Sequence, residues 1–105
     1  MGMYGVFGEH TIDGCPLNNK ENRMAVIEGG PLFKQVAESA GVKVLSQYHS
    51  GLEHTFLWVL DAKDAQTVET LMIQTGIAKF NAVKIVPVFT FEDVIEKCKM
   101  IEGRS

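Results

Sequence analysis

The stretch VKVLSQYHSGLEHTFLWVLDA, Val42 to Ala62, holds two apolar runs on either side of a Ser-Gly step. Two strand-length runs around a short polar turn read as a β-hairpin. The strands span Val42–Ser50 and Gly51–Ala62, with Ser50 and Gly51 in the turn. What flanks this hairpin decides the topology. Upstream lies PLFKQVAESAG, Pro31 to Gly41, with Pro suited to a first helical position and Gly to a stop. Its apolar residues Leu32, Phe33, Val36 and Ala40 form one stripe. Gly29-Gly30 separates it from an earlier helix over KENRMAVIE, which Asn18 or Asn19 can cap. Downstream, Asp61 or Asp64 can cap DAQTVETLMIQTG, whose inward set is Ala65, Val68, Leu71 and Met72.

The chain ends supply two more strands. MYGVFGEH, Met3 to His10, is apolar on both faces and belongs at the centre of a sheet. NAVKIVPVFT, Asn81 to Thr90, contains Pro87, which lacks an N–H and argues for an edge. Thr90 followed by Asp93 suits a helix start. The helix that follows carries Phe91, Val94, Ile95, Cys98 and Ile101 on one face, with Cys98 expected in the core.

The order is therefore β-α-β-β-α-β plus a C-terminal helix. That is an α+β, ferredoxin-like arrangement, with an antiparallel sheet of order 4-1-3-2 and helices on one face. The other face is left open, presenting either Phe56, Trp58 and Leu60 or the alternate Leu57 and Val59. A second copy of the chain is the expected cover, giving a homodimer with its sheets face to face.

Composition narrows the function classes. Residues 1–105 make one domain, 46% hydrophobic and 22% charged. The net charge is -3 and Lys and Arg form no stripe, so nucleic acid is not an expected partner. Apolar runs are strand-length, and the N-terminus has no basic-then-apolar leader. No membrane association and a cytoplasmic location are expected, with the two cysteines as reduced thiols.

The hairpin also locates a candidate site. Strand 1 ends in GEHTIDGCP, Gly8 to Pro16, and strand 3 begins with a second EHT, Glu53 to Thr55. Adjacent antiparallel strands bring those ends to one sheet edge, so His10 and His54 should be neighbours across the ladder. Cys15 leaves from the same edge, and His49 arrives there at the end of strand 2, on the alternate face or in the turn. Two imidazoles and a thiolate suit a transition-metal ion such as Zn²⁺ or Cu, with a fourth position for water or substrate. Glu9, Glu53 and His49 are additional-ligand or outer-shell candidates. Tyr4, Phe56 and Trp58 are candidate pocket lining. The bland alternative is that the histidines are hydrogen-bonded strand-end residues and Cys15 a small packed hydrophobe.

GEHTIDGCP, AGVKVLSQYHSGLEHTFLWVLDAKDAQTVETLM and AVKIVPVFTFEDVIEK together resemble small uncharacterised proteins of the dimeric α+β barrel type. The resemblance spans nearly the whole chain. It implies the fold and a homodimer, in a superfamily that includes antibiotic-biosynthesis-type monooxygenases and muconolactone-isomerase-like proteins. It implies small organic ligands as a class and fixes no activity. Three functions remain open from the residues. One is a metal-binding dimer. Another is a cofactor-free monooxygenase- or isomerase-like enzyme acting on a small apolar substrate, with His10 or His54 as base. The third is a non-catalytic ligand-binding module.

Overall fold

A computed structural model describes residues 1–104. Four strands, β1 (Gly2–Glu9), β2 (Lys43–Ser50), β3 (Thr55–Ala62) and β4 (Ala82–Val88), form one sheet. Its order is β2-β3-β1-β4, every pairing antiparallel, as the sequence pattern requires. β1 is central and β4 lies at an edge, where Pro87 costs no ladder bond. The helices are α1 (Lys20–Gly29), α2 (Phe33–Ser39), α3 (Ala65–Gln74), α4 (Ile77–Phe80) and α5 (Phe91–Ile101). A single 3₁₀ turn, Gly30–Leu32, joins α1 to α2 where Gly-Gly-Pro interrupts the helix. Caps form where short polar side chains precede the helices: Asn19 accepts from Asn22 N–H, Asp64 from Thr67 N–H and Thr90 from Asp93 N–H.

One sheet face carries the core. Val6 of β1 and Phe56, Leu60 and Ala62 of β3 pack on Phe33 and Ala37 of α2 and Val68, Leu71 and Met72 of α3. Each fully buried Leu or Met contributes roughly 1.5–3 kcal/mol relative to exposure, and Leu60, Leu71 and Met72 are all at that limit. The stripe of α2 is Phe33 and Ala37. Leu32, Val36 and Ala40, expected to face inward, are exposed, with Leu32 in the 3₁₀ turn ahead of the helix. Trp58 shares the core face, its ring 4.9 Å from that of Phe33 and 4.6 Å from that of Phe56. The open face therefore carries the alternate set, Leu57 and Val59, beside Phe7 and Tyr48.

Two departures from the sequence reading have local causes. β3 begins at Thr55 because Ser50 pairs with Thr55, leaving Gly51 to His54 as a four-residue turn. Within it, Ser50 Oγ accepts the Glu53 N–H, and His54 turns the chain back with φ 56°. The second departure is α5. It buries no residue, and Cys98 is exposed rather than in the core. α2 and α3 pack over β1 and β3, and the C-terminal helix lies outside that core with its apolar residues exposed. The molecule is correspondingly long, 56 × 31 × 19 Å.

Candidate metal centre

The site is built on a row of residues one step beyond the sheet. His10 follows the last residue of β1, and its N–H donates to His54 O at 3.0 Å. That bond sets the two residues side by side across the ladder. On the other flank of His10 stands Asn81, the residue before β4. One row inward, His49 of β2 pairs with Phe56 of β3, which pairs with Gly8 of β1. A Cβ at Gly8 would overlap the Phe56 ring. The missing side chain lets that ring pack against the backbone of β1.

Cys15 comes from the loop after β1, and polar side chains tie that loop down. Gly14 N–H donates to Thr11 Oγ1 (2.9 Å), and Asn18 Nδ2 donates to Ile12 O (2.9 Å). From α1, Asn22 Nδ2 donates to Gly14 O (2.8 Å), while Arg23 donates to Pro16 O and Leu17 O. α1 buries no side chain, so these bonds are its main attachment. Leu17 in turn meets the β2–β3 turn, where a Cβ on Gly51 would come within 2.8 Å of Leu17 Cδ1. The thiol end of this loop is fully buried.

One donor atom each from His10, Cys15 and His54 lies within 4.8 Å of the other two. Four-coordinate Zn²⁺ with N and S ligands holds its donors roughly 3.3–3.6 Å apart, so about 1 Å of side-chain movement closes the set. His10 and Cys15 are buried, at 8% and 0% exposure, and His54 is half-buried. His54 Nδ1 is buried with no hydrogen-bond partner. A buried polar atom left unpaired costs about 1–3 kcal/mol, and a bound ion would remove that cost.

His10 is oriented by its outer nitrogen. Its Nδ1 lies 2.7 Å from Asn81 Oδ1. The Asn81 carboxamide is fixed the other way round by Nδ2 donating to Ile77 O at 3.0 Å. The Asn oxygen can only accept, so His10 carries its proton on Nδ1 and presents a bare Nε2. This is the arrangement that metal-ligating histidines use.

His49 lies on the same face as His10, not the alternate face or the turn. Val44 pairs with Leu60, and Ser46 pairs with the next residue, Val59. Leu45 is thus a β-bulge, and the extra residue reverses the inward and outward assignment of the rest of β2. The His49 and His10 rings are stacked, with centroids 5.3 Å apart, an interplanar angle of 5°, and Nε2 atoms 3.5 Å apart. Desolvation of its inner edge, then the nearby His10 and His54, lower the His49 pKa from its ordinary 6.5. A neutral imidazole with a free lone pair is favoured at neutral pH.

The remaining candidates lie elsewhere. Glu9 and Glu53 are exposed, with Glu9 alternating to the open face. Tyr4 and Trp58 are half-buried against the core. Phe56, but neither of those two, lines an open groove at this sheet end together with Phe7, Tyr48, His49 and Lys84. Sequence reasoning missed Asn81. Its signal was positional, since the start of strand 4 shares an edge with the end of strand 1.

The family model for a domain of unknown function, DUF3303, matches residues 12–101, and the chain belongs to that family. The match includes Cys15, His49, His54 and Asn81, and begins just after His10. No curated protein shows a significant match to the chain.

Proposed function

We propose that this protein binds one transition-metal ion per chain through His10, Cys15 and His54. The observation that carries the reading is the meeting of three such donors within 4.8 Å, one of them bearing an unpaired buried nitrogen. A thiolate with imidazoles selects Zn²⁺ or Cu over the hard ions Mg²⁺ and Ca²⁺. Burial favours this reading over a cysteine nucleophile. With no exposed surface on Cys15, an organic substrate has no approach to its sulfur, whereas an ion is small enough to lie among the three side chains. Metal analysis of untagged protein, grown with added Zn²⁺ or Cu²⁺, should return about one equivalent per chain. The same ions should raise the thermal midpoint of the wild type and leave Cys15→Ala unchanged. A metal-free protein whose midpoint ignores both ions refutes the reading.

The working form we propose is a homodimer. Support comes from two uncovered apolar surfaces. One is the open sheet face with Phe7, Tyr48 and Leu57; the other is α5, with Phe91, Val94, Ile95 and Ile101 all exposed. A chain that leaves both to water gains by pairing with itself.

A further inference from the structure

We infer that His49 is the fourth ligand, making the site a closed His₃Cys centre rather than a catalytic one with an open position. The inference rests on the metal reading above and goes beyond it in naming the coordination and what the centre does. Two independent features support it. The first is proximity: His49 Nε2 lies 3.5 Å from His10 Nε2. Because the two rings are stacked, His49 turns about χ1 and χ2 to aim that nitrogen at the ion held by His10, Cys15 and His54. Two imidazole nitrogens on one tetrahedral Zn²⁺ are about 3.3–3.4 Å apart, given Zn–N bonds of about 2.0–2.1 Å. The second is the bulge at Leu45, without which the same strand would aim His49 at the open face.

The surroundings of the four donors are unequal. His10 and Cys15 are buried and His54 is half-buried, whereas His49 is exposed on an edge strand. An exposed side chain turns about χ1 and χ2 at little cost, so His49 can swing onto the ion and off again. With all four donors engaged, no position is left for a water or a substrate. The centre then holds an ion and releases it through the one accessible ligand. That is the behaviour of a storage or transfer site for a divalent ion such as Zn²⁺, in which an incoming thiol or chelator displaces His49 first.

The test compares wild type, His49→Ala and His49→Gln, each loaded with Co²⁺ as the spectroscopic probe and with Zn²⁺ for affinity. His49 is an exposed side chain on a surface strand, and the Gln variant preserves its size and polarity. Folding of both variants is checked by circular dichroism. The expected wild-type Co²⁺ spectrum is four-coordinate, with a thiolate charge-transfer band, and changes only at azide concentrations well above those that alter the variants. In both variants the spectrum should become azide-sensitive, as water enters the vacated position. Chelator competition should show Zn²⁺ affinity falling on the order of a hundredfold, at the top of the range that loss of an outer-shell partner gives. Variants with wild-type affinity and an unchanged spectrum overturn the role of His49 and leave the three-donor reading standing. A wild type that binds neither ion overturns both.

Discussion

At the residue scale, His54 carries two costs, one in its backbone and one in its ring. It holds φ 56°, the left-handed region that glycine occupies freely, and its Nδ1 is buried without a partner. Strain of this kind and an unpaired nitrogen are what a ligand position would retain and a purely structural one would lose. His54→Gly should therefore stabilise the metal-free protein by about 1 kcal/mol, the left-handed cost of an L-residue less the added chain entropy of glycine. It should also abolish the stabilisation by Zn²⁺. Urea denaturation with and without the ion reads both, and a destabilised metal-free variant would mean that the imidazole supports the fold. Asn81 acts through His10. Asn81→Ala should lower metal affinity by about 10–100-fold, as loss of an outer-shell partner does, while Asn81→Asp retains the acceptor and most of the affinity. Nitrogen NMR of His10 provides the independent readout, with Nε2 unprotonated in the wild type and mixed tautomers in the Ala variant. His10, Cys15 and His54 were legible because the hairpin and the central strand fix which ends meet. Asn81 was legible by position alone, at the start of the strand beside the end of β1, and its residue type did not mark it as the acceptor for His10.

At the element scale, the pattern of apolar residues located each strand, and side-chain caps marked the starts of α1, α3 and α5. α2 and α4 have no such cap, and α4 was not anticipated. Asp64 illustrates how a cap enters the energetics. Hydrogen bonds from the Thr67 side chain and backbone lower its pKa below the ordinary 3.8. The folded state therefore binds this proton less readily than the unfolded chain does. The cap's charge contributes stability above pH about 4, and that contribution is lost as pH falls through the folded pKa. Asp64→Asn keeps a capping oxygen without the charge, so its stability should vary less with pH in that window. Thermal midpoints between pH 2 and 5 compare the two, and parallel curves would assign the wild-type acid loss to other carboxylates. The misplaced elements have two separate causes. Alternation locates a strand but does not reveal one extra residue, so the bulge at Leu45 and the face of His49 stayed hidden. Amphipathicity shows that a helix has an apolar face but not where its partner lies. α5 is the case in point, with its apolar set spaced correctly and none of it buried against its own chain.

At the scale of the whole molecule, the sheet has one face packed and one open, and the family shown by the comparison carries no stated function. Among the described residues, no helix is long and apolar enough to cross a membrane. Leu57, near the middle of the open face, is the position at which a charge should matter most to self-association. Sedimentation should give a dimer for the wild type at micromolar concentration and a monomer for Leu57→Lys, with unchanged circular dichroism. A monomeric wild type would leave the two apolar surfaces without this explanation. The central claim is the convergence of imidazole and thiolate donors on one ion, and X-ray absorption at the zinc edge tests it most directly. On untagged protein reconstituted with one equivalent of Zn²⁺, the account predicts one sulfur at about 2.3 Å and the rest imidazole nitrogen at about 2.0–2.1 Å. Failure to retain the zinc, or a shell without sulfur, would contradict it.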